Sequence, residues 1–307
     1  MSIKDTFCVD SSLEDAVIST LGYYSLFKYP IKTAEILGNL PLACTLASLE
    51  PVLAELTVSS TIYHYDGYYS LGSDVQHLVT KRLEANQRAV HQISKALKVG
   101  SFIYKFPFVR FVGISGSLSK GYADKKSDLD FFIVTEVNRL WICRTLLHLF
   151  KKTTYLTGKQ HNFCMNYFID THNLQIEEKN RYTAIELASM IPVAGITVYE
   201  AMKNANQWKN TYLPNSYYKF HQNNIISDTG KSFFKKVIEG IINACSPEKI
   251  NGMLMKFTDK KWRKKWAKKN YPMAEYDIAF KTTMHISKNH PANHQKIVLK
   301  ALKQFEK

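Results

Sequence analysis

The sequence has no run of about 18 apolar residues, so we expect no transmembrane helix. Its first ten residues, MSIKDTFCVD, lack the apolar core of a signal peptide. Cysteine is scarce and odd in number, with five in 307 residues, and no pair has zinc-ligand spacing. A Walker phosphate loop, a dinucleotide fingerprint and a serine-hydrolase elbow are also missing. The scarce cysteines favour a reduced, cytoplasmic protein. The missing motifs argue against a P-loop nucleotidase, a dinucleotide-dependent enzyme and a serine hydrolase.

Acidic residues are outnumbered, since 41 Lys and Arg stand against 26 Asp and Glu and leave a net charge of +15. Such a chain attracts phosphates, whether on nucleotides, nucleic acid or an anionic membrane. Part of the excess lies in 256–269, where eight basic residues accompany one Asp. Trp262 and Trp266 share one face of that predicted helix. We expect this face to pack on the core, with contact to RNA or a membrane surface as the alternative.

The N-terminal part of the chain predicts a small helical unit and a connecting helix. Residues 1–73 predict three short helices and a hairpin around Asp66-Gly67, which is the order of a winged helix. The third of these helices has two Glu and no Lys or Arg, so docking or dimerisation is favoured over DNA binding. A long amphipathic helix is expected over 74–100, with Gly100 as its end.

The rest of the chain predicts a mixed core followed by helices. Residues 101–179 alternate strand, turn, helix and strand, which suits a core with a mixed sheet and covering helices. From 180 to 307 the apolar periodicity is mostly helical. The predicted fold class is therefore α+β, with a winged-helix-like unit before the core and a helical region after it.

One stretch, FVRFVGISGSLSKGYADKKSDLDFFIVT at 108–135, carries the chemistry. Gly116 and Ser117 follow a buried strand and open a tight turn, where exposed backbone N–H groups suit a phosphate. Asp128 and Asp130 then begin a second strand, and the strand period of two places both carboxylates on one face. Two adjacent carboxylates repel each other unless a cation joins them. Mg²⁺ takes such oxygen ligands together with substrate phosphates.

This pattern of Gly-Ser followed by Asp-hydrophobic-Asp resembles the polymerase-β-like nucleotidyltransferase superfamily. A closer resemblance, over roughly 14–215, is to an uncharacterised group of bacterial and archaeal nucleotidyltransferase-domain proteins. It also rests on FKYP, DGYYSL, NRLWICRTLL, FCMNYFID and YTAIELASM. The resemblance implies a polymerase-β-like core, with Gly116 and Ser117 on the triphosphate and Asp128 and Asp130 on Mg²⁺ or Mn²⁺. The other predicted nucleotide-binding residues are Lys120, Gly121 and Ser127.

The superfamily also supplies a third carboxylate from a neighbouring strand, often as the general base. The matching strand is FCMNYFID, and Asp170 is the only acid on the relevant face. It falls late in the strand, whereas Asn166 holds the more central position. Asp170 is the predicted third catalytic residue, with capping of the following turn as the alternative. Whether Glu177, Glu178 and Glu186 lie near the cleft stays open.

The sequence thus predicts an enzyme that transfers a nucleoside monophosphate from an NTP, ATP first, and releases pyrophosphate. The acceptor is a small molecule, a protein side chain or an RNA end, and the basic C-terminal region offers a contact for nucleic acid. The alternative is a non-catalytic protein that senses a nucleotide and uses the winged helix to bind DNA or a partner.

Overall fold

The structure, a computed structural model, describes residues 12–125, 127–158, 160–216 and 233–305. Its α-helices are α1 (Leu13–Ser25), α2 (Thr33–Asn39), α3 (Leu46–Val58), α4 (Val75–Tyr104), α5 (Gly116–Ser119), α6 (Leu140–Thr154), α7 (Arg181–Ser189), α8 (Ile196–Ala205), α9 (Lys209–Tyr212), α10 (Phe233–Asn243), α11 (Pro247–Ala267), α12 (Tyr276–Ala279) and α13 (His294–Leu302). Its strands are β1 (Ile31–Lys32), β2 (Tyr63–Tyr65), β3 (Tyr68–Ser70), β4 (Val109–Ile114), β5 (Asp130–Thr135), β6 (Cys164–Asp170), β7 (Ile191–Ala194) and β8 (Ile286–Lys288). None of these described helices has both the length and the apolar composition needed to cross a bilayer.

The larger sheet has five strands in the order β7-β4-β5-β6-β8. Strands β5 and β6 are parallel, whereas β4 runs antiparallel to β5 and β7, and β8 runs antiparallel to β6. The inner strands are rich in apolar residues and mostly buried, which is typical of a sheet covered on both faces. Helices α4 and α6 pack on one face, and α7 and α8 on the other. The predicted α+β class with a mixed sheet is confirmed.

The N-terminal unit, residues 12–72, contains α1, β1, α2, α3 and the β2–β3 hairpin. Its three strands form a small antiparallel sheet in the order β1-β3-β2. The predicted two-residue turn is present, because Asp66 and Gly67 have φ of 50° and 76° and connect the paired Tyr65 and Tyr68. Apolar side chains of this unit share one buried cluster with α7 and α13, so the unit is packed onto the rest of the chain.

The connecting helix runs further than its sequence predicts. Helix α4 passes through Gly100, the predicted end, and continues to Tyr104. A Cβ at position 100 would lie 3.0 Å from a methyl of Val193 and 3.2 Å from the ring of Phe131. A side chain at this position would crowd the sheet, so glycine suits the close approach of the helix, and it does not break the helix.

Helix α11 contains most of the basic stretch 256–269. Trp262 is buried, and the ring centroid of Trp266 lies 4.8 Å from that of Phe280. Both rings belong to one apolar cluster with α12. The packing interpretation of these two residues is confirmed, whereas contact of the Lys side with nucleic acid stays a prediction.

Candidate functional site

Asp128 and Asp130 lie where the chain enters β5. Leu129 between them is buried in the core, so the alternation of an extended chain directs both acids away from it. Two backbone hydrogen bonds fix this segment, since Leu129 N donates to His161 O at 3.1 Å and Cys164 N donates to Leu129 O at 3.1 Å. The two predicted acids therefore lie together at the N-terminal end of β5, beside the start of the parallel strand β6.

Asp130 has a strongly perturbed pKa. Burial raises the pKa of its carboxyl from 3.8 to about 6. The hydrogen bond with the Cys164 thiol opposes this shift, and so does the charge of Lys120. The negative charges of Asp128 and Glu186 reinforce it. The charge of ionised Asp130 is thus incompletely compensated, and a nearby cation would lower its pKa.

Asp128 is the more exposed acid and has a partner that the sequence did not indicate. Its Oδ1 lies 2.7 Å from Nδ1 of His161. His161 belongs to a short 3₁₀ segment, Gln160–Asn162, that precedes β6. Only the parallel pairing of β5 with β6 brings this histidine to the acid, and a cation at Asp128 would compete with the contact.

The Gly116 turn lies directly against Asp130. Gly116 has a φ of 70°, a conformation that side chains disfavour. A Cβ added at this position would lie 2.8 Å from Oδ2 of Asp130. Ser115 N also donates to Asp130 O at 3.0 Å. Glycine is needed for both the backbone conformation and the close approach, and the exposed Ser117 follows it at the start of α5.

Lys120 and Glu186 form an ion pair beside this turn. Lys120 Nζ lies 2.7 Å from Glu186 Oε1 and donates to Gly116 O at 3.1 Å. Glu186 stands on α7, and its proximity to the acids depends on how that helix packs, which sequence reasoning left open. A phosphate at the turn would compete with Glu186 for the lysine.

Asp170 is not part of this site. Strands β5 and β6 are parallel, and Asp130 pairs with Cys164 at one end while Thr135 pairs with Asp170 at the other. The rise per residue of a strand puts these two ends roughly 16 Å apart. Asp170 is fully buried at 0% exposure, and its oxygens lie within hydrogen-bond distance of Asn138 N (3.0 Å), His172 N (3.1 Å) and His285 Nδ1 (2.8 Å). The structure therefore places Asp170 away from Asp128 and Asp130, and its contacts with Asn138 N and His172 N fit the capping alternative.

Two cavities meet at Asp130. One of about 420 Å³, which we name the tyrosine cavity, is lined by Tyr23, Tyr24, Tyr29, Tyr122, Ser117 and Lys120. The other, of about 320 Å³ and named the amide cavity, is lined by Asn166, Asn289, Asn293, Gln295, Glu178 and Lys288. Residues common to both linings are Gly116, Asp130, Tyr182, Glu186 and His294. Two molecules held side by side would therefore meet at Asp130 and Glu186.

Gly121 and Ser127 lie in the loop between α5 and β5. Ser127 Oγ accepts a hydrogen bond from Asp124 N at 2.7 Å, and Gly121 N donates to Leu118 O at 3.0 Å. Neither Gly121 nor Ser127 is among the described residues that line the two cavities. The structure therefore places both residues in the loop, outside the linings of the two cavities, and their contact with a nucleotide stays a prediction.

The donor atoms at the site suit a hard divalent cation. Within the described ranges, no three or more His, Cys, Asp or Glu side chains form a ready-made metal cage. Mg²⁺ commonly binds one or two carboxylates and takes its other ligands from phosphates and water. Asp128 and Asp130 match that requirement, and the incompletely compensated charge of Asp130 fits a bound cation.

We compared the chain with protein-family models, curated proteins and solved structures. None of the three comparisons found a match.

Proposed function

We propose that this protein is a metal-dependent nucleotidyltransferase that moves a nucleoside monophosphate from an NTP to an acceptor and releases pyrophosphate. The observation that carries the proposal is the contact between the Gly116 turn and Asp130, where a Cβ would lie 2.8 Å from Oδ2. A phosphate on that turn would lie beside the acids. The antiparallel pairing of β4 and β5 supports a polymerase-β-like core, and the element order of residues 12–72 supports a winged-helix unit.

The NTP, ATP first, would occupy the tyrosine cavity. Ser117 supplies a hydroxyl to the triphosphate, and Lys120 supplies a positive charge once it leaves Glu186. Tyrosine rings offer faces on which a nucleobase stacks, a contact worth about 1–3 kcal/mol per base in single-strand binding proteins. Tyr29 OH donates to Lys120 O at 3.2 Å, which connects the N-terminal unit to this part of the site.

Asp128 and Asp130 would hold Mg²⁺ or Mn²⁺, which when bound neutralises charge on the phosphoryl oxygens. An acceptor hydroxyl attacks the α-phosphorus, and the bond from that phosphorus to the bridging oxygen breaks. Pyrophosphate leaves with the electron pair. The acceptor proton passes to Glu186, a carboxylate that lines both cavities and is freed when Lys120 moves to the phosphates.

A nucleotide sensor without catalysis is the second candidate. It is favoured by the position of Asp170 at the far end of the sheet, because β6 then supplies no acid beside Asp130. The DNA-binding version of this candidate gains no support from α3. The exposed side of that helix carries Glu50 and Glu55, which would repel a phosphate backbone.

The test uses γ-labelled ATP, whose label leaves in the pyrophosphate, with Mg²⁺ or Mn²⁺ and representatives of the small-molecule, protein and RNA acceptor classes. Asp128→Ala/Asp130→Ala should lower pyrophosphate release at least about 100-fold, because it removes the ligands of a cation whose charge stabilisation amounts to several kcal/mol. Glu50→Ala/Glu55→Ala removes the same charge on exposed α3 and should retain activity. ATP binding without release by the wild type favours the sensor, and absence of both binding and release refutes both candidates.

A further inference from the structure

The amide cavity has its own wall in addition to the residues that it shares with the tyrosine cavity. Strand β6 contributes Asn166, and the segment from β8 into α13 contributes three further amides, Asn289, Asn293 and Gln295. Its volume of about 320 Å³ equals that of roughly ten water molecules in the liquid. This is the low end of the range for sites that enclose one small molecule.

The lining of the amide cavity is acidic although the whole chain has a net charge of +15. Asp130, Glu178 and Glu186 contribute carboxylates, and Lys288 is the one Lys or Arg among the described lining residues. Lys288 Nζ lies 3.1 Å from Glu178 Oε1, so this charge is already paired. Burial lowers the pKa of His290 to about 4, so the ring is neutral near pH 7. The described lining offers no unpaired Lys or Arg to a phosphate.

The polar groups of this wall suit hydroxyl groups better than ions. A side-chain amide both donates and accepts hydrogen bonds, as a hydroxyl does.

We propose that the amide cavity binds the acceptor, and that the acceptor is a small uncharged or cationic polyhydroxyl molecule. The proposal rests on the nucleotidyltransfer function above and selects among the acceptor classes that the sequence leaves open. A phosphodiester end of RNA would bring negative charge toward Asp130, and toward Glu186 once Lys120 has moved to the phosphates of the NTP, which is unfavourable. The pair of Lys288 and Glu178 offers no net charge to offset this. A polyol bound against the amides would present a hydroxyl at Asp130 and Glu186, where the two cavities meet.

The test fills the amide cavity and leaves the tyrosine cavity unchanged. Thr183 on α7 lines the amide cavity alone, so Thr183→Phe adds a ring to that wall. Gln295→Trp fills the same space from α13 and serves if the first variant folds poorly. Thr80→Phe, at an exposed position of α4, is the matched control. The probes are myo-inositol as an uncharged polyol, glucosamine as a cationic one, and a short oligoribonucleotide with a free 3′-hydroxyl.

Three measurements decide the outcome: probe binding by calorimetry, binding of a fluorescent ATP analogue, and probe-dependent pyrophosphate release. We expect at least one polyol to bind the wild type and to support release. Thr183→Phe should weaken both at least about tenfold, a change of about 1.4 kcal/mol, while binding of the ATP analogue stays within about twofold.

The inference is overturned if neither polyol binds, if only the oligoribonucleotide accepts the nucleotide, or if both cavity variants leave polyol-dependent release unchanged. Failure of the proposed function has a different signature, because the wild type then releases no pyrophosphate with any of the three probes, whether or not it binds the ATP analogue. If the wild type nevertheless binds a polyol and Thr183→Phe abolishes that binding, the amide cavity is still identified as a polyol-binding site.

Discussion

Among single residues, Asp130 shows most directly how the fold shapes the chemistry of the site. Burial raises the pKa of its carboxyl to about 6, so the protein pays a folding cost to keep this group ionised at neutral pH. Asp128 and Glu186 increase that cost through their own charges. Such a penalty is common at functional sites, where a ligand that is absent from the unfolded chain compensates it.

The first prediction is that Asp130→Asn stabilises the metal-free protein at pH 8 by up to about 3 kcal/mol, since each unit of pKa shift is worth about 1.4 kcal/mol. Well below pH 3.8, both folded and unfolded wild type hold the proton, so the difference between variant and wild type vanishes there and is already small near pH 4. As the pH rises toward 6, the unfolded state loses its proton first, and the wild type loses stability.

The measurement is the free energy of unfolding in urea with EDTA, between pH 4 and pH 8. Asp66→Asn makes the same substitution at the exposed hairpin turn and reports the effect of the amide itself. Equal stability of Asp130→Asn and wild type at pH 8 would contradict the prediction.

Residue types and spacing were enough to predict that Gly116, Asp128 and Asp130 share a site, because all three belong to one local strand–turn–strand segment. The structure does not bring Asp170 to Asp128 and Asp130, as the sequence predicted, and the difference has a physical cause. Its type and face matched the expected acid, but its height along β6 depends on the register with β5, which no local pattern encodes. Glu186 lies in the site for the converse reason, since packing of α7 brings it there from a distant part of the sequence.

At the scale of elements, the connection from β4 to β5 is the part that positions the site. Gly116 and Gly121 both have positive φ, of 70° and 77°. They differ in their surroundings, because a Cβ at Gly116 would meet Asp130 at 2.8 Å whereas a Cβ at Gly121 would meet nothing within 4 Å. Gly121 is therefore a matched control for Gly116, because a substitution there introduces backbone strain without contact with Asp130.

The second prediction compares Gly116→Ala with Gly121→Ala. Both should lose about 1 kcal/mol of stability, because alanine is disfavoured at positive φ. Only Gly116→Ala should displace the Asp130 carboxylate, and it should weaken Mg²⁺-dependent binding of a fluorescent ATP analogue at least about tenfold. Equal affinities of the two variants in a fluorescence titration would show that the turn does not position the acid.

The longer elements were predictable from periodicity and the hairpin from its turn residues, whereas the short strands β7 and β8 were not. The hairpin around Asp66 and the strands β4, β5 and β6 fall near their predicted places. Strands β7 and β8, with four and three residues, lie in a region predicted as mostly helical. Segments of that length show too little alternation to be recognised, and they form because the edges of the larger sheet offer hydrogen bonds.

At the scale of the whole molecule, the N-terminal unit is joined to the core by polar as well as apolar contacts. Arg181 of α7 is 5% exposed and reaches into that unit. It donates to Ser19 Oγ at 2.6 Å, to Thr20 Oγ1 at 2.7 Å and to Asn39 O at 3.1 Å. The tyrosine cavity combines residues of the unit with residues of the core, so its shape depends on this junction.

The last prediction is that Arg181→Ala destabilises the protein by about 3 kcal/mol and shifts a single cooperative transition, because buried hydrogen bonds to a charged group are lost across a shared core.

Urea unfolding should be followed by circular dichroism and by tryptophan fluorescence. All four Trp lie outside residues 12–72, and of these only Trp208 packs against the cluster shared with the N-terminal unit, so fluorescence reports mainly on the rest of the chain. Arg263→Ala removes a partly exposed arginine that is ion-paired with Asp259 and Asp277, and it should cost about 1 kcal/mol. A dichroism transition that precedes the fluorescence transition would mean that the N-terminal unit unfolds by itself, and the tyrosine cavity would then be a weak junction between two independent parts.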